Sequence, residues 1–233
     1  MFRLGELYFE RDAIRQQEAL ESFMAASAAT DSETDQPEPQ KDFTATIELY
    51  RRLVRNFPNY ERSDGVYYLI GYCLNEMGEI NEARLAWLNL VCANRFKYTG
   101  EAPPTDVKDD PKAELVQKYP ALGLDAQPAA ATNYDDPYAD CQPAVADSKF
   151  FAETWLRVGE YHFDYDFSEH GMARSISAYR HVLKLPEDRN YNLALYKVAW
   201  AYYRASRYPE AMQHFWQLVQ WFDDERKRTG RGS

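Results

Sequence analysis

The feature that most restricts this chain is an internal likeness. Two stretches, GVYYLIGYCLNEMGEINEARLAWLNLV at residues 65–91 and LALYKVAWAYYRASRYPEAMQHFWQLV at residues 193–219, align end to end without a gap. Gly71 and Ala199 are each followed twelve residues later by an alanine, Ala83 and Ala211, and four residues further by a ring, Trp87 and Phe215. Leu74 matches Tyr202, Ile80 matches Tyr208 and Leu90 matches Leu218. Residues four apart share a helix face, so each stretch reads as two helices folded back to back. The first carries an apolar stripe and a small residue that lets its partner approach. A break follows near Gly78 or Ser206, and the second helix bears Ala-x-x-x-aromatic on one face. Pro209 suits the first turn of that second helix, where a missing N–H costs nothing.

These spacings resemble the tetratricopeptide repeat, W-x2-L-G-x2-Y followed by A-x3-F and then P. Two further copies fit once insertions are allowed. WLRVGEYH supplies Trp155, Val158, Gly159 and His162, and ARSISAYRHVLKLP supplies Ser175, Tyr179, Val182 and Pro186. Gly159 to Ser175 is sixteen residues rather than twelve, which lengthens the turn. RLGELYFE supplies Leu4, Gly5 and Tyr8, and FTATIELYRRLVRNFP supplies Thr46, Tyr50, Leu53 and Pro58 across a long insertion. The pattern departs from the family in two ways: Trp holds only one of the four leading positions, and Ala199 replaces glycine in the last copy. A different helical-hairpin repeat is the alternative.

The resemblance implies an all-α fold, a tetratricopeptide-like α-solenoid of four helical hairpins in a right-handed superhelix with two irregular insertions. The expected organisation is a single domain over residues 1–233. Its first repeat is split between 1–27 and 42–58, and the others span 64–95, 149–186 and 191–226. A mobile acidic loop occupies 28–41 and a Pro-rich acidic insertion 96–148. Good helix formers carry the first helix to about Ser27. Met1 stands where the motif places its leading Trp, and Val219, Trp221 and Phe222 are apolar where a terminal repeat needs a polar face. The expectation is a piece of a longer array, or end-on docking to another copy.

Composition narrows the partners. A net charge of −10 gives no basic footprint for displacing counterions from nucleic acid, and it disfavours an anionic membrane surface. The short basic run Arg226, Lys227, Arg228 and Arg231 suits a helix C-terminus. No window approaches the ~18 apolar residues of a membrane span. FRLGELYFE after Met1 reads as an amphipathic helix rather than a leader, although a natural upstream portion could still hold a secretion signal. Cys73, Cys92 and Cys141 form no C-x-x-C pair. Cys73 fits a small core residue, while Cys92 and Cys141 flank the larger insertion and could pair in an oxidising compartment. The insertion allows one short helix at DPKAELVQKYP, capped by Asp110 with Pro111 in its first turn. Two readings of the rest stay open: a surface linker, or a flap packed on the repeats through Tyr134 and Tyr138.

Chemistry is thinly represented. HFDYDFSEHG, residues 162–171, alternates Asp164, Asp166 and Ser168 as calcium loops do, but Glu169 stands where glycine is needed and Ser175 where the bidentate Glu belongs. Nothing fixes a metal geometry for His162, His170, Asp164 and Asp166, so the stretch is expected to be a lengthened turn with Gly171 closing a cap. His181 and His214 each follow an aromatic pattern and are expected on a helix face. No nucleophile elbow, phosphate loop, dinucleotide fingerprint or H-E-x-x-H stands in the chain. The expectation is therefore no catalytic residue, no metal and no cofactor.

What remains is a surface. In stacked tetratricopeptide hairpins the first helices line a concave groove that holds a peptide or a helix. If Gly71, Gly159 and Ala199 face their own second helices, then residues beside them and three to four away face the groove. Helical phase picks Tyr68, Tyr72 and Asn75; Leu156, Glu160 and Phe163; and Tyr196, Trp200 and Tyr203, with Arg157, Lys197 and Arg204 at the edge. The Lys and Asn clamp of chaperone-binding members is missing, since Tyr68, Tyr72, Tyr196 and Trp200 fill the matching places. The expected role is a non-catalytic scaffold holding a protein or peptide partner. Residues 48–83, with a hairpin ending in FP, look most like bacterial cell-envelope members of the family, which implies a periplasmic or envelope assembly or motility complex. The alternatives are a cytoplasmic peptide-sensing regulator and a glycan-acting helical-repeat enzyme using Asp164, Asp166 or Glu169.

Overall fold

The computed structural model describes residues 2–29, 38–57, 60–96 and 136–230. Among them the regular elements are helices: α1 (Phe2–Ala29), α2 (Thr44–Asn56), α3 (Ser63–Glu76), α4 (Ile80–Val91), α5 (Phe151–Asp164), α6 (Gly171–Val182), α7 (Tyr191–Arg204) and α8 (Tyr208–Thr229). Three pairs, α1–α2, α5–α6 and α7–α8, pack as hairpins and α3 is joined to α4 by a tight turn, so the fold is all-α and of the tetratricopeptide-like helical-repeat kind. The described residues divide into two compact units, one lying within 2–86 and the other made of 87–96 and 136–230, with the division inside α4 between Ala86 and Trp87.

In the first unit, α1 and α2 run antiparallel and meet at a glycine. A Cβ built at Gly5 would fall within 3.0 Å of three ring carbons of Tyr50, whose ring is fully buried. One turn along, Thr46 Oγ1 donates to the buried Asp12 carboxylate at 2.7 Å, and Arg11 donates to the same group. These are the expected small residue and its opposing ring, at the positions that the motif marks. The first helix runs to Ala29, two residues beyond the expected end. The acidic loop expected to be mobile from residue 28 is in fact helical at Ala28. Residues 30–37 lie outside the described residues, and 38–43 are tied down: Pro39 O accepts from Gln16 Nε2 at 2.9 Å, Lys41 pairs with Glu76, and Phe43 stacks on Phe9 at 5.5 Å.

The two gap-free stretches fold alike at their turns. In the first, Gly78 takes φ +83°, its N–H bonds Asn75 O at 3.1 Å, and Glu79 N–H bonds Leu74 O at 2.8 Å. In the second, Ser206 takes φ +59°, its N–H bonds Tyr203 O at 3.0 Å, and Arg207 N–H bonds Tyr202 O at 2.9 Å. Both are Schellman caps, in which a left-handed residue lets the chain satisfy the last helical carbonyls. Glycine takes that conformation without a Cβ penalty; Ser206 does not.

In the second unit, α5, α6, α7 and α8 pack in succession. A Cβ built at Gly159 would fall within 2.8 Å of three ring carbons of the fully buried Tyr179, and Ser175 Oγ donates to Gly159 O at 3.0 Å. The turn after α5 is the lengthened one, spanning residues 165–170. Gly171 does not close a cap there. It opens α6, where a side chain would run into the Asp166 carbonyl oxygen.

The described end of the larger insertion, residues 136–148, is a packed strap rather than a surface linker. Cys92 and Cys141 form a disulfide with Cα atoms 4.5 Å apart. Backbone bonds flank it, Ala93 N–H to Gln142 O and Ala144 N–H to Leu90 O, both 2.8 Å. Arg95 Nη1 reaches Pro137 O at 2.6 Å, and Asn94 Nδ2 reaches Asp140 O at 2.9 Å. Tyr134 and the helix expected at 110–120 lie outside the described residues.

Candidate functional site

The strap plugs the α5–α6 hairpin with Tyr138, which is buried. Its N–H donates to Ser177 Oγ at 3.0 Å, and its carbonyl accepts from His181 Nε2 at 2.9 Å. Its hydroxyl lies 2.6 Å from His162 Nε2, and His162 Nδ1 lies 2.7 Å from Asp166 Oδ2. A carboxylate only accepts, so Nδ1 carries a proton toward Asp166. Asp166 also accepts from Ser168 Oγ at 2.5 Å and from Arg174 Nη1 at 3.0 Å. Burial opposes the charge of Asp166, but the bonds from His162 and Ser168, with Arg174 beside them, hold its carboxyl far below the usual range. Burial pushes the His181 imidazole down to about 4, Lys184 adding to it, and the ring stacks on Trp155 at 4.2 Å.

Tyr138–His162–Asp166 has the connectivity of a nucleophile, base and orienting acid. It has no access: Tyr138 is 3% exposed and His162 0%. The cluster fastens the strap and the long turn. His181 thus differs from the expected helix-face residue, since the strap covers it. His214 stacks on Tyr202 at 5.0 Å and bonds Glu210 O within α8. Among the described residues no group of three or more His, Cys, Asp or Glu could hold a metal ion. Cys73 is buried, and burial pushes its thiol up to about 12, which leaves it unreactive. A crevice of about 270 Å³ beside Arg11, Asp12, Arg15, Gln16, Asp42 and Ala45 is smaller than usual ligand pockets, which start at about 300 Å³.

The surface residues picked by helical phase divide between the units. In the first unit Tyr68 is buried, Tyr72 is half-buried with its ring edge against Phe9 at 5.9 Å, and Asn75 is half-buried. In the second, Leu156 is buried at 4% exposure. Tyr68 and Leu156 are therefore corrected to core residues: packing on these first helices covers a wider arc than the small residue alone marks. Arg157 and Glu160 bond each other at 3.2 Å on α5, and Lys197 of α7 reaches Glu160 at 2.8 Å. Arg204 caps Phe163, its guanidinium 4.3 Å from the ring centroid and its Nη1 2.6 Å from Phe163 O. Charged groups thus zip α7 to α5 along one side.

Beside this charged strip on α7 runs an aromatic ladder. Tyr196, Trp200 and Tyr203 are 45%, 39% and 52% exposed, with ring centroids 6.2 and 5.6 Å apart in edge contact. Trp200 also meets Phe215 at 5.6 Å and Tyr203 meets Tyr208 at 5.4 Å, both on α8. The motif residue Tyr202, by contrast, is buried. Tyr138 is the expected anchor of a packed flap, but its partners Ser177 and His181 are not legible as a set in the sequence.

A family model described as Tetratricopeptide repeat matches residues 1–60 and 193–220, the segments of the first and last hairpins. Residues 65–91 fall outside that match, although their turn copies the one in 193–219 bond for bond. No curated protein and no solved structure gives a significant match.

Proposed function

We propose that the chain is a scaffold that holds an extended peptide or a helix against the helices of its second unit, with the aromatic ladder of α7 as the main contact. Tetratricopeptide repeats in general mediate protein–protein interaction and are typically non-catalytic, and this chain carries two matching segments. The supporting observation is the exposure of Tyr196, Trp200 and Tyr203 beside a well-packed helix core. Tyr and Trp bury large areas at low entropic cost and concentrate in binding hot spots. Among the described residues no helix is long and apolar enough to cross a membrane. The envelope assignment rests on the Cys92–Cys141 disulfide, because such bonds persist in oxidising compartments such as the bacterial periplasm.

A displayed random-peptide library panned on the protein supplies the probe. Selected peptides are then titrated calorimetrically against the parent, Trp200→Ala and Tyr203→Ala. Loss of at least tenfold in affinity is expected for one or both, the usual cost of a truncated hot spot. Equal binding to all three proteins removes the ladder as the site.

A further inference from the structure

Tyr138 is held the way a bound peptide is held. Each of its polar atoms meets a different side chain of the α5–α6 hairpin: the N–H donates to Ser177 Oγ, the carbonyl accepts from His181 Nε2, and the hydroxyl lies 2.6 Å from His162 Nε2. Its ring centroid sits 5.3 Å from that of Trp155. Asp136 extends the same contact, its carboxylate accepting from Ser177 Oγ and standing 3.8 Å from Arg180 Nη1. Ser177 and His162 are fully buried and His181 nearly so. Packing alone does not require such a set. Tyr50, a ring of the first hairpin's core, is fully buried with no hydrogen-bond partner for its hydroxyl among the described residues. The ties that keep the strap in place lie apart from this pocket, on the segment after α4: the Cys92–Cys141 disulfide, Arg95 to Pro137 O, and Asn94 to Asp140 O.

We propose that the α5–α6 pocket is a second peptide site, built for an extended Asp-x-Tyr segment of a protein partner, that residues 136–138 occupy it in cis, and that the disulfide decides whether they can leave. A tethered segment at high effective concentration shuts out a free one of the same kind. Opening the crosslink returns freedom to a loop of separation 49 and lowers that concentration. Once the strap withdraws, Ser177, His181 and His162 lose its hydrogen bonds. Unmet polar groups are costly in a buried site, so the pocket favours a segment that restores those bonds over one that merely fills the space.

The opening step is thiol–disulfide exchange with a dithiol. One thiolate of the reductant attacks the half-buried Cys141 sulfur, since Cys92 is fully buried, and Cys92 leaves as a thiolate. The second thiol of the reductant then displaces Cys141 from the mixed disulfide. The two protons given up by the reductant end on Cys92 and Cys141, and the two electrons come from the reductant, which leaves as a disulfide.

Fluorescence anisotropy on the full chain tests the site, with a labelled, end-blocked peptide of residues 136–140, Asp-Pro-Tyr-Ala-Asp, as the probe. Affinity is expected to rise at least tenfold when the parent is treated with a dithiol, and equally in Cys92→Ser with Cys141→Ser. It should rise further when Tyr138→Ala empties the pocket in that background; Tyr138→Phe, which loses only the bond to His162, is the milder companion should the alanine variant lack the parental helical circular dichroism. Ser177→Ala, His181→Gln and phenylalanine in place of the peptide's tyrosine should each weaken binding on the order of tenfold. No binding by any opened form, or binding indifferent to those three changes, overturns the pocket. An affinity raised by the Tyr138 variants but not by the dithiol overturns the latch. Trp200→Ala should leave this binding unchanged, and peptides selected on the ladder should need no dithiol, so the two sites fail separately.

Discussion

Gly159→Ala puts the packing argument at risk most directly. On helix propensity alone the change should stabilise, because alanine is better than glycine in a helix interior by about 1 kcal/mol. At this position the new methyl would fall within 2.8 Å of three carbons of the Tyr179 ring, which is fully buried and has no open direction in which to turn. Relief requires α6 to move off α5. That motion stretches the 3.0 Å bond from Ser175 Oγ to Gly159 O, worth about 1 kcal/mol, on top of an overpacking cost of about 1–3 kcal/mol. The net expectation is a loss of roughly 1–3 kcal/mol, read as a lower urea midpoint at unchanged slope. The cycle with Tyr179→Leu assigns the cause. With the ring gone, Gly159→Ala should become neutral or gain about 1 kcal/mol, its propensity value. A raised midpoint in the parent, or the same loss in both backgrounds, refutes the glycine-and-ring contact as the clasp of the hairpin.

Ser206→Gly should raise stability by about 1 kcal/mol, because it removes a left-handed non-glycine residue while keeping the Schellman bonds; an unchanged urea midpoint counts against that strain. Breaking the disulfide, by reductant or as Cys92→Ser with Cys141→Ser, should cost about 2–4 kcal/mol for a loop of separation 49 and leave helical circular dichroism unaltered; equal midpoints with and without reductant refute it. Acid should act in two windows. His181 is held neutral in the folded state down to about 4, so the unfolded chain takes up the proton first, and stability falls as pH drops from about 6.5 to about 4, by up to about 3 kcal/mol. Asp166 stays ionised in the fold, so its contribution is lost only below about pH 4. Urea midpoints of the parent and His181→Gln across that range check the sign, and a parent that is flat between pH 4 and 6.5 refutes the burial of a neutral imidazole.

The hairpins were legible because their physics is local. Gly5 with Tyr50 and Gly159 with Tyr179 are close approaches written as spacing, and the break at Gly78 and Ser206 is a left-handed cap that two unrelated residue types share. The strap was not legible in the same way. Tyr138 reaches its partners 24 and 43 residues further on, at His162 and His181, and no periodicity records a contact at that range. Sequence offered Tyr138 as an anchor of a packed flap, but not the partners it meets. Tyr68 and Leu156 show the complementary failure: helical phase marks which way a side chain points, but the width of the covered arc depends on how many neighbours pack there.

The aromatic excess in this chain therefore serves two physical ends. Rings placed opposite glycine, as in Tyr50 and Tyr179, are buried completely, and burying such side chains stabilises the hairpins by about 1.5–3 kcal/mol each. Rings one step out of that phase, as in Trp200, Tyr203 and Trp216, remain 39%, 52% and 62% exposed on helices that are already packed. Tyr202 and Tyr203 make the contrast within one helix: the first is covered by His214 and Arg207, while the second touches Trp200 and Tyr208 and faces outward. Removing an outward ring should thus leave stability within about 0.5 kcal/mol, the usual range for surface changes. That separation lets association be measured on variants whose fold is intact.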